Sequence, residues 1–155
     1  MKPRITVATV AENREPYMTE VRWLFHSLRN FGGELSDARC IAYFVDQAPH
    51  DVSQYTNLDI EIKLVNTIES RFPHCNKIHM LLDENHDCDW LITLDTDIIV
   101  TGDLSPYLSG SVVCAKIVDK SRITDKNWET IFDYFNLPIP TVRFLTHFHA
   151  TNTIP

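Results

Sequence analysis

A chain of 155 residues with 44% hydrophobic and 23% charged side chains is one domain's worth and can bury a real core, a composition that does not favour disorder. Its formal charge of -7 argues against a sequence-independent grip on nucleic acid, which needs a basic face, although one cleft can still be locally basic. The apolar run after Met1-Lys2-Pro3-Arg4 is too short and too broken by threonine for a signal peptide or a membrane span. Cys40, Cys75, Cys88 and Cys114 stand apart with no C-x-x-C pair, which predicts reduced thiols and a cytoplasmic setting.

Ile5 to Val10 is a compact β-branched run suited to a strand buried on both faces. After a polar loop, Pro16 fits a first helical position, Met18, Val21, Leu24, Phe25 and Leu28 recur at helical spacing, and Gly32-Gly33 supplies the stop. Cys40 to Val45 predicts a second strand, and Ile60 to Val65 alternates like a half-exposed third. Ile78, Leu81 and Leu82 mark a short helix starting near Asn76. Trp90 to Leu94 and Val112 to Ile117 read as further strands. Asp125 is the expected cap of a helix whose Trp128, Ile131, Phe132 and Phe135 share a face and which ends before Pro138. Strands alternating with helices predict an α/β fold, a mostly parallel central sheet with helices on both faces. Thr146 to Pro155 has no periodicity, and the expectation is a truncated domain whose C-terminal part is incomplete.

The chemistry is concentrated in Leu94-Asp95-Thr96-Asp97. On an extended backbone, two acids two residues apart point the same way. Apolar runs flank them, and burying two like charges without a partner would cost several kcal/mol, roughly, while raising at least one pKa. A divalent cation removes both penalties, and oxygen-only ligands suit Mg²⁺ or Mn²⁺. The end of a strand in an open α/β sheet is also where such folds bind ligands.

Three stretches together resemble the GT-A glycosyltransferases, most closely those like family 8, which includes glycogenin and bacterial lipopolysaccharide galactosyltransferases. They are Leu94 to Ser105, similar to that family's D-x-D strand and "xGDL" turn; the first strand, loop and Tyr17 through Gly32; and Cys75 to Leu81, similar to its "(T/S)-K-(L/I)" helix. Their order and spacing agree over roughly residues 4 to 118, with residues 119–155 left as a helix and the start of an acceptor-side region, all within one nucleotide-sugar-binding domain. The resemblance implies that Asp95 and Asp97 hold Mn²⁺ or Mg²⁺ on a diphosphate, with Asp95 also near the ribose and the Thr96 backbone facing the nucleotide. It implies that Thr9, Val10 and Ala11 line the base, that Tyr17 stacks on it, and that Lys77 reaches the acids or the phosphates. The bland reading of each stays open: Tyr17 as helix-start packing, Lys77 as a solvated lysine. No stretch matches the family's later H-x-x-G-x-x-K-P-W motif, and His147 and His149 read as loop histidines.

The function so implied is metal-dependent transfer of a sugar from a nucleoside-diphosphate sugar, UDP-linked by expectation, to an unknown acceptor. A sugar-phosphate nucleotidyltransferase and a non-catalytic nucleotide-sugar-binding domain remain as alternatives. Neither G-x-x-x-x-G-K-[ST], G-x-G-x-x-G nor G-x-S-x-G occurs. Asp87 and Asp89, around Cys88, read as solvated turn residues.

Overall fold

The computed structural model describes residues 2–110, 113, 124–140, 144–145 and 153–154. The chain divides into two compact units, Met1–Gly110 and Ser111–Pro155. The strand expected over Val112 to Ile117, Val113 apart, lies outside the described residues, as do the fourth cysteine, His147 and His149.

In the first unit, four strands make an all-parallel sheet: β1 (Ile5–Glu12), β2 (Arg39–Val45), β3 (Ile60–Val65) and β4 (Trp90–Thr93). The order is β3-β2-β1-β4. Connections therefore step one way from β1 to β3 and then cross back to the far side of β1. That reversal puts a topological switch point between β1 and β4, where open α/β sheets leave a crevice beyond their carboxyl ends.

β1 and β2 read as continuous apolar runs because both faces are covered. On one face, Val7, Cys40, Ala42 and Phe44 pack with Val21, Leu24, Phe25 and Leu28 of α1 (Tyr17–Phe31). Tyr55 of the short α2 (Ser53–Thr56) meets Phe44 edge-to-face, ring centroids 5.5 Å apart. On the other face, Ala8, Ile41 and Tyr43 pack with Met80 of α3 (His79–Leu82). The expected α/β layering, helices on both sides of a parallel sheet, is what forms. β3 lies at the edge, and Leu64 is exposed there.

Local chemistry sets the ends of the elements. α1 begins at Tyr17, with Pro16 just outside it as the cap position. Of the two glycines after α1, Gly33 takes the left-handed conformation, φ 59°, and a Cβ there would sit 2.6 Å from the Asp103 side chain. Asp103 accepts the Glu34 N–H (3.2 Å) and the Ser105 N–H (2.8 Å), so it ties the end of α1 to the segment following the acids. Asp87 and Asp89 do more than meet solvent. Arg4 donates to Asp87 at 2.5 Å, and Asp89 accepts the Arg4 N–H at 2.8 Å, fixing the strand preceding the site at its amino end.

The second unit holds α4 (Asp125–Tyr134) and an antiparallel pair, β5 (Phe144–Leu145) and β6 (Thr153–Ile154). The α4 cap is Thr124, one residue before the position expected. Its extended backbone (φ -74°, ψ 159°) lets its hydroxyl accept the Asn127 N–H, while Asp125 is already helical. Trp128 and Phe132 are half-buried with rings 6.1 Å apart, whereas Ile131 and Phe135 are exposed.

Candidate functional site

A cleft of about 300 Å³ opens at the carboxyl end of β1, beside the turn that follows β4. It is lined by Val10, Ala11 and Glu12 from β1, Tyr17 and Glu20 from the first turn of α1, Val45 from β2, Pro73 to Lys77 in part, and Asp95, Thr96 and Asp97. Residues separated by up to 87 positions thus converge at the switch point. Of the site residues expected from sequence, Val10, Ala11, Tyr17, Lys77, Asp95, Thr96 and Asp97 all reach this wall.

Thr9 does not. It lies on the same face of β1 as Val7 and Ala11 and is fully buried. Its hydroxyl donates to the Leu94 carbonyl at 2.8 Å. Thr9 therefore supports the acidic segment from beneath.

The acids stand differently from the extended, buried pair the sequence suggested. β4 ends at Thr93, and Asp95 opens a turn closed by the Ile98 N–H to the Asp95 carbonyl at 3.3 Å. Asp95 and Asp97 are both exposed, and of the apolar run after them only Val100 is buried. The penalty for burying two carboxylates therefore does not arise here. Lys77 instead gives Asp95 a counter-charge, Nζ to Oδ1 2.5 Å. Lys77 is set by the 3₁₀ turn Pro73–Ile78, which is anchored through buried Asn76, whose Oδ1 accepts the Ile68 N–H at 3.0 Å.

Two supports were not singled out in the sequence, and both come from α1. Glu20 Oε2 accepts the Thr96 hydroxyl at 2.7 Å, and Ser27 Oγ accepts the Val100 N–H at 2.9 Å. Ser27, a buried hydroxyl within an apolar helical stripe, carried a readable signal; Glu20 looked like any first-turn acid.

Tyr17 packs partly on the core and also walls the cleft. The Arg14 guanidinium, ion-paired with Glu12 at 2.6 Å, stands 4.9 Å over the Tyr17 ring. One face of that aromatic is thus already engaged by a cation.

Asp95 and Asp97 offer hard oxygen donors at a solvent-open cleft. That set fits Mg²⁺ or Mn²⁺, which take one or two protein carboxylates and complete their shell with water and substrate phosphate. Among the described residues, no group of three His, Cys, Asp or Glu is arranged to hold a metal. Also among the described residues, no helix is long and apolar enough to cross a membrane.

Residues 7–153 match the Rhodobacterales glycosyltransferase domain, and the chain belongs to that family. No curated protein and no solved structure matches it.

Proposed function

We propose that this glycosyltransferase domain binds a nucleoside-diphosphate sugar, UDP-linked, in the cleft at the β1–β4 switch point and transfers its sugar with the help of Mn²⁺ or Mg²⁺. The observation that carries the reading is the convergence of Tyr17, Lys77, Asp95 and Asp97 on one cleft at the carboxyl end of a parallel sheet. In this reading Asp95 and Asp97 hold the cation, which when bound neutralises charge building on the leaving diphosphate. Lys77, a compact ammonium already within reach of Asp95, exchanges part of that contact for phosphate oxygens. The free edge of β1 at Val10 and Ala11 offers backbone groups to the base, and Tyr17 offers an aromatic wall.

The same reading extends to a GT-A architecture like that of family 8, and to a hexose as the transferred group. A cytoplasmic setting fits the free thiols of Cys40, Cys75 and Cys88. Calorimetric titration with UDP, with and without Mn²⁺, tests the core of it. Binding should depend on the cation and be lost in Asp97→Ala. Absent binding, or binding indifferent to both changes, would overturn it.

A further inference from the structure

The ladder between β4 and β1 ends on the Leu94 N–H, which donates to the Ala8 carbonyl at 2.9 Å, so the acidic segment beyond it lacks a strand neighbour to fix its course. The turn itself closes on a long bond, 3.3 Å from the Ile98 nitrogen to the Asp95 oxygen. Past the Thr9 bond to the Leu94 carbonyl and the Lys77 contact with Asp95, what holds the segment is α1. Glu20 and Ser27 stand seven residues apart, two helical turns, and hence on one side of that helix. The first accepts the Thr96 hydroxyl and the second the Val100 N–H, so the stretch from 96 to 100 is strung along α1 and tied at both ends. Tyr17 lies three residues before Glu20, so a single turn of α1 carries both the aromatic wall and the anchor of the acids.

We infer that Glu20 is a positioning residue for Asp95 and Asp97: by accepting the Thr96 hydroxyl, it fixes the turn so that both carboxylates face the cleft together. The inference rests on the donor-binding reading above for its purpose, but not for its geometry. Thr96 sits between the two acids, so holding its side chain stops the turn from rotating about its own ends. A glutamine at position 20 keeps an acceptor oxygen of the same reach, whereas alanine removes it. That pair of variants separates an anchor from a group that contacts the cation or the diphosphate directly.

The test combines amide exchange of Ile98 and Val100 in the ligand-free protein with UDP titration in the presence and absence of Mn²⁺. Exchange should rise about tenfold in Glu20→Ala and in Thr96→Val, with no further rise in the double variant. Thr96→Ser and Glu20→Gln should stay near the parent. The affinity gained on adding Mn²⁺ should fall in the same order as the exchange protection. Unchanged exchange in Glu20→Ala, or additive effects in the double variant, would overturn the anchor. So would a Glu20→Gln protein that stays protected yet loses the Mn²⁺ effect as fully as alanine, because Glu20 would then be a direct ligand. A parent protein indifferent to Mn²⁺ and UDP would refute the donor reading, while the exchange data would still decide whether Glu20 holds the turn.

Discussion

Replacing Thr9 by valine keeps the volume of a fully buried side chain and removes one hydroxyl. The lost bond is the 2.8 Å contact to the Leu94 carbonyl, immediately before the first acid. A net loss of about 1 kcal/mol is the ordinary cost of such a bond, rising to about 3 kcal/mol if the carbonyl is left dry. For a chain of this size that lowers Tm by roughly 3–8 °C, measured by differential scanning calorimetry. Thr9→Ser is the control. It keeps the donor and loses one methyl group, worth about 1 kcal/mol of burial. The two variants should therefore be similarly destabilised, but only Thr9→Val should weaken Mn²⁺-dependent UDP binding, because only it frees Leu94 to shift Asp95. Equal affinities in Thr9→Val and the parent, or a weaker site in Thr9→Ser than in Thr9→Val, would refute the role of this bond.

Other consequences are as direct. Gly33→Ala should cost about 1–3 kcal/mol, because alanine must adopt φ 59° and push against Asp103; a urea midpoint equal to the parent's would show that the turn relaxes freely. Burial opposes ionisation of Asp83, yet the Lys63 ammonium and the Tyr43 hydroxyl bonded to it outweigh that and hold its carboxyl well below the usual range. A depressed folded-state pKa gives stability that is present above about pH 4 and lost as pH falls further, so Asp83→Asn should flatten the acid limb of a stability–pH curve below pH 4; an unchanged limb would contradict this. Burial pushes the Cys40 thiol up to about 11, so thiol labelling at pH 8 followed by peptide mapping should spare Cys40 and modify half-buried Cys75 and Cys88. Labelling of Cys40 as fast as the other two would show that its end of β2 opens.

The layers of the fold were legible because β1 and β2 are buried on both faces, which leaves continuous apolar runs that few other elements produce. The amphipathic stripe of α1 was equally plain, since Val21, Leu24, Phe25 and Leu28 all reach the core. The conformation of the acids was not legible. Leu94 looks like one more strand residue, and its N–H still donates to the Ala8 carbonyl of β1 at 2.9 Å, but its own carbonyl is taken by the Thr9 side chain, and the ladder stops there. Period-two reasoning then continues a strand through a turn. Side-chain tethers across 73 and 76 residues, Ser27 to Val100 and Glu20 to Thr96, leave no local pattern at either end. The same holds for Arg4, whose partners Asp87 and Asp89 read as solvated until the chain brings them together. Lys77 was the exception, found through a resemblance of motifs rather than through any periodicity.

The exposure of Asp95 and Asp97 changes the reason a cation would bind there. Two buried acids would demand a counter-ion merely to exist, and a metal would then be part of the fold's own stability. Two exposed acids make no such demand, and Lys77 already partners one of them. With both side chains of that pair about half exposed, the contact is screened by solvent and contributes little to stability. A cation arriving together with a diphosphate would therefore displace a weak partner, leaving the ammonium for the phosphates that come with it. Affinity for the metal alone should then be low and affinity for metal plus nucleotide higher. On this argument the rigidity of the acids, supplied by Thr9, Glu20 and Ser27, matters more to the site than their charge, because positioning is what bulk carboxylates in water lack.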